Sequence, residues 1–423
     1  MALSLYSLTL YLTFFSLPLI ATFKGKGTVV LVCMLLIVHG KTLWNHRLFL
    51  RETILRTLKS PLGVFVLSFV LWMLLSSFWA PDTSTAFFNA LRYLALIFSG
   101  VLVYLGVQRE TSERKAMFFK AFYGGFIFYS LFFFIEIYVF SIASKLYTNS
   151  DLFDKMLFIK GIVTLCFLFW PFLFILSEKY SKISFWKVSL LSVVFLSFIL
   201  FRARPDAALV GIIIGLVGML CVYRFPKFPY LIASLLTLLS LSTPWLFTQV
   251  LNQNTLGDNF HYMPPSYQHR LLIWEKMSEE ALKKPAIGHG IDSATNFSKG
   301  EMMQLQIHKV SFDLSSGKIK TQHLGVQQPT HIFSSHPHNG IIQIWVEMGF
   351  VGILLMLSIL WALTHRIITI KNPRERACLF GFLLFYDVIC LVGFGLWQKW
   401  IGATIILSLL CFYVVKNHQE TRS

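Results

Sequence analysis

Charged residues are scarce in this chain. Only 13% of its 423 residues are Asp, Glu, Lys or Arg, whereas 56% are hydrophobic. A soluble domain carries about a quarter charged residues, so this composition excludes one and predicts a protein embedded in a lipid bilayer. The net charge of +17 does not indicate a nucleic acid partner, because the basic residues stand in short clusters between apolar runs.

Acidic residues are the scarcer charge, with 20 of them against 37 basic residues. The predicted outer loops contain no D-x-D sequence, and their aspartates form no paired-carboxylate site. Asp151 and Asp154 are separated by two residues, and Asp258, Asp292 and Asp313 stand alone. This pattern argues against a metal-assisted transfer. We therefore expect no metal site and no cofactor.

Cysteine is also rare, with six residues in the whole chain. All six lie in or beside predicted membrane spans, none lies in the longest polar loop, and no C-x-x-C sequence occurs. We therefore predict neither a disulfide framework nor a zinc site.

What the chain has in abundance is apolar runs of membrane-spanning length, most of them about 17 to 25 residues long and a few shorter. They predict an all-α polytopic membrane protein with about 12 transmembrane helices. The first 22 residues contain no Lys or Arg, so we expect an uncleaved first span and not a signal peptide. The predicted spans are 3–22, 27–39, 61–79, 88–107, 121–142, 157–176, 187–203, 206–223, 229–247, 341–363, 377–395 and 400–415.

Lysine and arginine concentrate in alternate short connections, such as 41–59 and 366–376. The positive-inside rule places these connections and both termini in the cytoplasm. The one long polar loop then faces the outside. The predicted divisions are transmembrane helices 1–9 in residues 1–247, the large outer loop in 248–340, and helices 10–12 with a cytoplasmic tail in 341–423.

The first part of the long loop, residues 266–284, has helical spacing. Leu271, Trp274, Met277 and Leu282 can share one side of an amphipathic helix. A proline at 285 and glycines at 288 and 290 are expected to end it. No regular structure is assigned to residues 300–330.

The stretch 334–352 joins polar, titratable residues to the start of an apolar span. His336 and His338 flank Pro337, which disfavours helix at His336, so a helix is predicted to begin near His338. A capping cluster at a helix N-terminus is one reading. Two histidines beside Asn339 exceed what a cap needs, however, and this stretch is the first candidate for chemistry.

The helix that follows carries two further polar residues and two glycines. Gln343 and Glu347 are expected on turns that neighbour Asn339, since helical residues three or four apart lie on one face. Gly349 and Gly352 are expected to permit close contact between helices.

Arginines near the outer surface form a second candidate. Arg202 and Arg204 lie between the seventh and eighth spans, with Asp206 as the nearby acid. Two guanidinium groups at a membrane edge suit a phosphate or diphosphate, although arginines also extend from span ends simply to reach water. Arg270 in the loop helix and Arg92 near the outer end of the fourth span are candidates of the same kind.

Two carboxylates inside predicted spans, Glu136 and Asp387, are the rival functional signal, because buried acids mark proton and cation pathways. They are isolated from each other in the sequence. Structural hydrogen bonding is therefore the favoured interpretation, and transport the alternative.

Two strings in this sequence resemble the O-antigen ligase family of membrane glycosyltransferases. The first string is a His-Asn pair, followed after nine residues by a glycine and after two more residues by a second glycine. It falls on His338, Asn339, Gly349 and Gly352. An arginine, a tryptophan, a proline and a Gly-x-Gly sequence fall on Arg270, Trp274, Pro285, Gly288 and Gly290. The layout of about 12 spans with a long loop late in the chain is similar as well.

The resemblance implies an inverting, metal-independent glycosyltransferase of GT-C-like type in the bacterial inner membrane, with its site facing the periplasm. The donor would be an undecaprenyl-diphosphate-linked glycan and the acceptor lipid A-core, both held among membrane lipids. His338 would activate or orient the acceptor hydroxyl, while Arg204 and Arg270 would hold the departing diphosphate. Further substrate-binding residues would be Arg202, Arg92, Asn339, His336 and Trp274.

The family usually has Ser or Thr before the arginine of the short outer loop. Here Phe201 and Ala203 precede Arg202 and Arg204, and Arg204 is the favoured match. An O-antigen polymerase or a protein O-oligosaccharyltransferase would use the same donor and differs only in acceptor. A polytopic transporter or flippase is a more distant alternative, expected to show inverted repeats and paired intramembrane charges.

Overall fold

Long apolar helices make up most of the chain, as the hydropathy predicts. The computed structural model describes residues 5–148, 155–203, 205–257, 260, 263–297, 302–303, 306–313, 318–326, 330–331 and 336–420. Its helices are α1 Leu5–Phe23, α2 Thr28–Asn45, α3 Arg47–Leu58, α4 Pro61–Ser76, α5 Thr83–Gln108, α6 Ser112–Ile135, α7 Ile142–Thr148, α8 Lys155–Lys179, α9 Phe185–Ala203, α10 Asp206–Arg224, α11 Phe228–Trp245, α12 Gln253–Leu256, α13 Pro265–Lys283, α14 Gly340–Ile368, α15 Pro373–Val392 and α16 Lys399–Glu420.

Within the described ranges, eleven helices are long and apolar enough to cross a membrane. The all-α membrane fold is thereby confirmed, including the short predicted span at 27–39, which lies in α2. The predicted span at 377–395 coincides with α15, which is not among the eleven. This helix has 20 residues and packs against α10, but it carries charges in its first turn and Asp387 further along.

The larger hydrophobic core is built around α8. Trp170 is fully buried in the middle of this helix, and glycines of two neighbouring helices make room for its indole ring. A Cβ on Gly381 of α15 would lie 2.2 Å from that ring, and one on Gly215 of α10 would lie 2.6 Å from it. Close approach of three helices here therefore depends on having no side chain at these two positions.

A second core supports the outer end of α14. The buried residues Ile273, Met277 and Ala281 of α13 pack in one cluster with Trp345 of α14. The indole N–H of Trp345 donates to the carbonyl of Ser240 in α11 at 2.8 Å. The predicted amphipathic helix of the long loop is therefore present, and its apolar side covers the mouth of the bundle.

The later part of the long loop contains the described strands, for which the sequence assigned no regular structure. β2, Gln306–Asp313, pairs with β3, Lys318–Val326, in an antiparallel hairpin with a register shift between Ile307 and His308. β1, Met302–Met303, pairs in the same sense with β4, Thr330–His331. The loop thus contains helix and hairpin.

Glu136 has a structural role, which agrees with its favoured interpretation. Its carboxylate is buried directly after the C-terminal end of α6 and accepts hydrogen bonds from the backbone N–H of Ala143 at 3.2 Å and of Ser144 at 3.0 Å. These groups lie in the first turn of α7, where side-chain carboxylates commonly cap a helix. The carboxylate therefore caps the next helix.

Candidate functional site at the N-terminal end of α14

The helix α14 is broken at Gly349, and a loop fills the break. Gly349 has φ 64 and ψ −162, so carbonyls before it and N–H groups after it lose their helical partners. The segment after α13 replaces them, which satisfies backbone groups that would otherwise be buried and unpaired. The four hydrogen bonds are His289 N to Val346 O at 2.7 Å, Gly290 N to Glu347 O at 2.9 Å, Phe350 N to Pro285 O at 2.8 Å and Val351 N to Ala286 O at 3.2 Å.

Glycine is required on both sides of this junction. A Cβ on Gly349 would lie 2.5 Å from the Ala286 carbonyl oxygen, and one on Gly288 would lie 2.6 Å from the Met348 nitrogen. Gly288 also has a positive φ of 69, which costs side-chain-bearing residues free energy. The expected helix–helix role of Gly349 is therefore wrong, because its backbone contacts the loop Ala286–Gly288.

His338 precedes α14 in a strained backbone conformation. Its φ is 54, in the left-handed region that is uncommon for residues other than glycine and concentrates at functional sites. The helix begins at Gly340, slightly later than predicted, and Asn339 caps it. The Asn339 side-chain oxygen accepts from the N–H of Ile341 and of Ile342, both at 3.1 Å. Asn339 therefore fixes the backbone directly after His338.

The hydrogen bond of His338 determines which ring nitrogen is free to accept a proton. Nδ1 lies 2.7 Å from the carbonyl oxygen of Gly393, at the end of α15. A carbonyl only accepts, so Nδ1 carries the proton and donates it to this bond. The Nε2 lone pair of the neutral ring is then the basic position.

Burial keeps both histidines neutral. Desolvation lowers the pKa of His338 below its ordinary value of 6.5, and the nearby positive charges of Arg270 and His269 lower it further, against the raising effect of the Gly393 bond. Burial and the charge of His338 lower the pKa of His336 to about 4. The two rings lie 4.2 Å apart, centroid to centroid. A neutral imidazole is the state that a general base requires.

Helix α13 brings two predicted residues to the histidines. The indole N–H of Trp274 donates to the carbonyl of Pro337 at 2.8 Å, which holds the backbone between His336 and His338. Arg270 lies one turn earlier on the same helix, half-buried, and close enough for its charge to act on His338. The structure therefore brings Arg270, Trp274 and His338 together.

The remaining predicted arginines are placed differently. Arg202 is exposed in the last turn of α9, and Arg204 lies outside the described residues. Shortly after them, Ala207 of α10 adjoins Gly393, since a Cβ on that glycine would lie 3.4 Å from the Ala207 Cβ. Arg92 of α5 is exposed and donates to the Asn89 side chain at 3.2 Å.

A buried polar network ties the site together. Glu347 is fully buried, and its carboxylate accepts from the Gln343 amide at 3.1 Å, from the Asp292 backbone N–H at 3.0 Å and from the Trp397 indole. The Gln343 oxygen accepts from the Leu396 N–H at 3.0 Å. One turn of α14 thus holds both the outer loop and the α15–α16 connection in place.

Sequence reasoning missed a polar cavity beside the histidines. It has a volume of 220 Å³, and His336 is part of its wall. Asn89, Asp292 and Lys399 line it from three separate segments, and their spacing in the sequence carries no signal. The only signal within reach was the cluster of polar residues at the start of the last span, where Gln398 and Lys399 precede an apolar run.

Comparisons with known proteins match the part of the sequence that contains these residues. Residues 191–357 match a family model described as "O-Antigen ligase". The match runs from within α9 to within α14, so it includes Arg202, Arg270 and His338. The resemblance inferred from the two sequence strings is confirmed by this match.

Curated relatives match over most of the chain. The chain is 24% identical to a "Putative polysaccharide ligase" of Rickettsia bellii, over 95% of this chain and 96% of that protein. A protein of the same name from Rickettsia felis is also 24% identical, over 95% of both chains. A third, from Rickettsia conorii, is 24% identical over 82% of this chain and 78% of its own length. Over most of its length the chain is thus similar to proteins named as putative polysaccharide ligases.

Proposed function

We propose that this chain, whose residues 191–357 match a family model described as "O-Antigen ligase", transfers a glycan from undecaprenyl diphosphate to a sugar hydroxyl of lipid A-core. The observation that carries the proposal is the state of His338. Its Nδ1 proton is engaged by Gly393, its Nε2 is basic, and the guanidinium of Arg270 lies near it. The site thus offers a proton acceptor and a permanent positive charge in one place.

The reaction follows from these two groups. The acceptor hydroxyl gives its proton to Nε2 of His338 as its oxygen forms a bond to the anomeric carbon. The bond from that carbon to the diphosphate oxygen breaks, and the diphosphate leaves with the electron pair. Arg270, with Arg204 or Arg202, offsets the charge that develops on it. Attack opposite the leaving group inverts the anomeric configuration.

Two apolar cavities below the site suit substrates anchored in a membrane. One, of 470 Å³, lies between α4, α5 and α16, and the other, of 250 Å³, lies between α11, α14 and α15. Phe69, Leu396 and Trp397 line both cavities. A lipid-borne donor and a lipid-borne acceptor would therefore have separate lateral routes to the same outer mouth.

The orientation of the chain is part of the proposal. The basic connections are expected in the cytoplasm, which places both termini inside and the α13–α14 junction in the periplasm. Single cysteines introduced at the exposed Lys283 of α13 and the exposed Lys59 after α3 test this. A membrane-impermeant thiol reagent applied to whole cells is expected to label the first only, and the reverse pattern would contradict the proposal.

Deletion and complementation test the function itself. Cells that lack this chain are expected to lose the ladder of O-antigen attached to lipid A-core on a lipopolysaccharide gel, and the plasmid-borne chain should restore it. A ladder that persists without the chain would overturn the proposal. If single repeats stay attached while long chains disappear, the protein is a polymerase. If only protein glycosylation is lost, it is an O-oligosaccharyltransferase.

A further inference from the structure

The 220 Å³ cavity beside His336 has the size and lining of a carbohydrate site. At about 30 Å³ per water molecule, its volume equals about seven waters, which is enough for one sugar ring. Its polar wall comes from α5, the outer loop and α16, and its aromatic wall from α5 and the α15–α16 connection. The residues used below are Asn89, Tyr93, Asp292, Trp397 and Lys399.

Donors and acceptors alternate along the polar wall. The Asn89 amide N–H donates to the Asp292 carboxylate at 2.9 Å, and the Lys399 ammonium lies 3.5 Å from the Asn89 side-chain oxygen. The carboxylate and the ammonium have capacity for further bonds beyond these. A row of this kind matches neighbouring sugar hydroxyls, each of which both donates and accepts.

The aromatic wall stands next to the polar one. The rings of Tyr93 and Trp397 lie 5.6 Å apart, and the Lys399 ammonium lies 5.7 Å from the centre of the Tyr93 ring. Flat apolar faces of this kind suit the C–H face of a sugar, which is apolar while its edges are polar.

The backbone under Asp292 is held in an unusual conformation. Its φ is 64, and its N–H donates to the fully buried Glu347. His338, Asp292 and Ser141 are the residues other than glycine with positive φ in the described part of the chain. Two of these three lie at this site, which points to a functional constraint on the loop.

We propose that this cavity binds the acceptor sugar, with Asp292 and Lys399 bonding its hydroxyls; this rests on the proposed glycosyl transfer. The acceptor is assigned here because the base must meet the acceptor hydroxyl, and the cavity wall includes His336, whose ring lies 4.2 Å from that of His338. On its Nδ1 side His338 contacts Gly393, which adjoins Ala207 near the start of α10.

Separate Michaelis constants for the two substrates test the assignment. Asp292→Asn and Lys399→Gln are each expected to raise KM for lipid A-core about tenfold or more, the loss expected for a bond to a charged group, and to leave KM for the lipid-linked donor within twofold. Asn is chosen because it tolerates positive φ. The matched controls are Glu279→Gln and Lys276→Gln, an exposed ion pair on α13, which should change neither constant.

Direct binding provides a second readout that needs no turnover. Calorimetric titration of the intact protein with delipidated core oligosaccharide should show affinity that both variants weaken. An unchanged acceptor KM and affinity, or a raised donor KM instead, would overturn the assignment. If the wild-type chain transfers glycan but both variants behave like the controls, the cavity proposal is wrong while the proposed function stands. If the wild-type chain transfers nothing, the proposed function fails.

Discussion

The core around Trp170 and the site around His338 are constructed in opposite ways. In the core, close-packed aromatic and aliphatic side chains from α8, α10 and α15 meet over glycines. At the site, α14 is interrupted, and hydrogen bonds from segments far apart in the sequence hold polar groups in place. The groups that stabilise the bundle are therefore separate from the groups that we propose to carry the chemistry.

This separation gives a clear expectation for mutations. Changes in the core should lower stability without altering the substrate dependence of the protein that remains folded. Changes at the site should lower the rate while the bundle stays intact.

Trp170→Ala should produce the largest effect, on stability. Truncation of a fully buried tryptophan costs about 3–5 kcal/mol because a cavity remains. The apparent unfolding temperature in detergent should fall by many degrees, while KM of the surviving protein stays unchanged. Trp44→Ala, at an exposed tryptophan of α2, is the control. A changed KM at normal stability would contradict the separation of the two regions.

Arg270→Ala should act on rate. Loss of one group that stabilises developing charge costs about 10²- to 10³-fold in kcat. Arg270→Lys should recover only part of it, because lysine keeps the charge without the planar pair of donors. Initial rates of transfer by reconstituted protein measure both variants, and Lys276→Ala on the same helix is the control. A rate for Arg270→Ala equal to wild type would remove this residue from the mechanism.

Gly349→Ala should lower both the transfer rate and the thermal stability, because the break in α14 supports the site and also belongs to a membrane span. The positive φ and the contact with Ala286 together should lower the free energy of unfolding by about 1–3 kcal/mol. Gly257→Ala is the matched control: Gly257 has a φ of 51 but nothing within 4 Å of its Cβ position. Thermal unfolding should separate the two variants, with Gly349→Ala the less stable. Equal losses would mean that the loop contact adds nothing.

The pH dependence of the rate should show His338 acting as a base. Its pKa lies below 6.5, so the ring is neutral and active at pH 7, and it becomes protonated only as pH falls through that lowered value. Below this pKa, kcat/KM should drop about tenfold per pH unit. His336, with a pKa of about 4, remains neutral and should not contribute. A rate that does not fall at any pH below 6.5 would contradict this prediction.

Trp274→Phe should have the smallest effect. It removes the indole N–H that donates to Pro337 but keeps an aromatic ring. The loss of this hydrogen bond should raise the activation free energy of transfer by about 1 kcal/mol. The expected result is a fall of about fivefold in kcat, because His338 is held less firmly, with stability nearly unchanged. A rise in KM with unchanged kcat would instead support the predicted substrate-binding role of Trp274.

Much of the bundle could be predicted because a membrane span has a simple physical requirement. About 20 predominantly apolar residues are needed, and the spans that contain α4, α8 and α10 each meet this requirement. The break at Gly349 could not be predicted from the same rule. A glycine in an apolar run fits a normal helix contact, and only the partner loop at residues 285–290 shows that the helix is interrupted.

The site divides along the same line. His338, Asn339 and Arg270 lie in local patterns, so sequence reasoning found them. Asn89 and Asp292 are 203 residues apart, and Asn89 and Lys399 are 310 apart. No local period relates such positions. Asp292 in particular looked isolated, because its neighbours in the cavity come from α5 and α16.

The central claim is that Nε2 of His338 takes the acceptor proton. The most direct test compares wild type with His338→Ala, each purified into lipid nanodiscs. Both are given undecaprenyl-diphosphate-linked glycan and lipid A-core, and the products are identified by mass spectrometry. We expect glycosylated lipid A-core from wild type and a rate about 10²- to 10⁴-fold lower from the variant, at an unchanged unfolding temperature. Full activity of a folded His338→Ala variant would contradict the account.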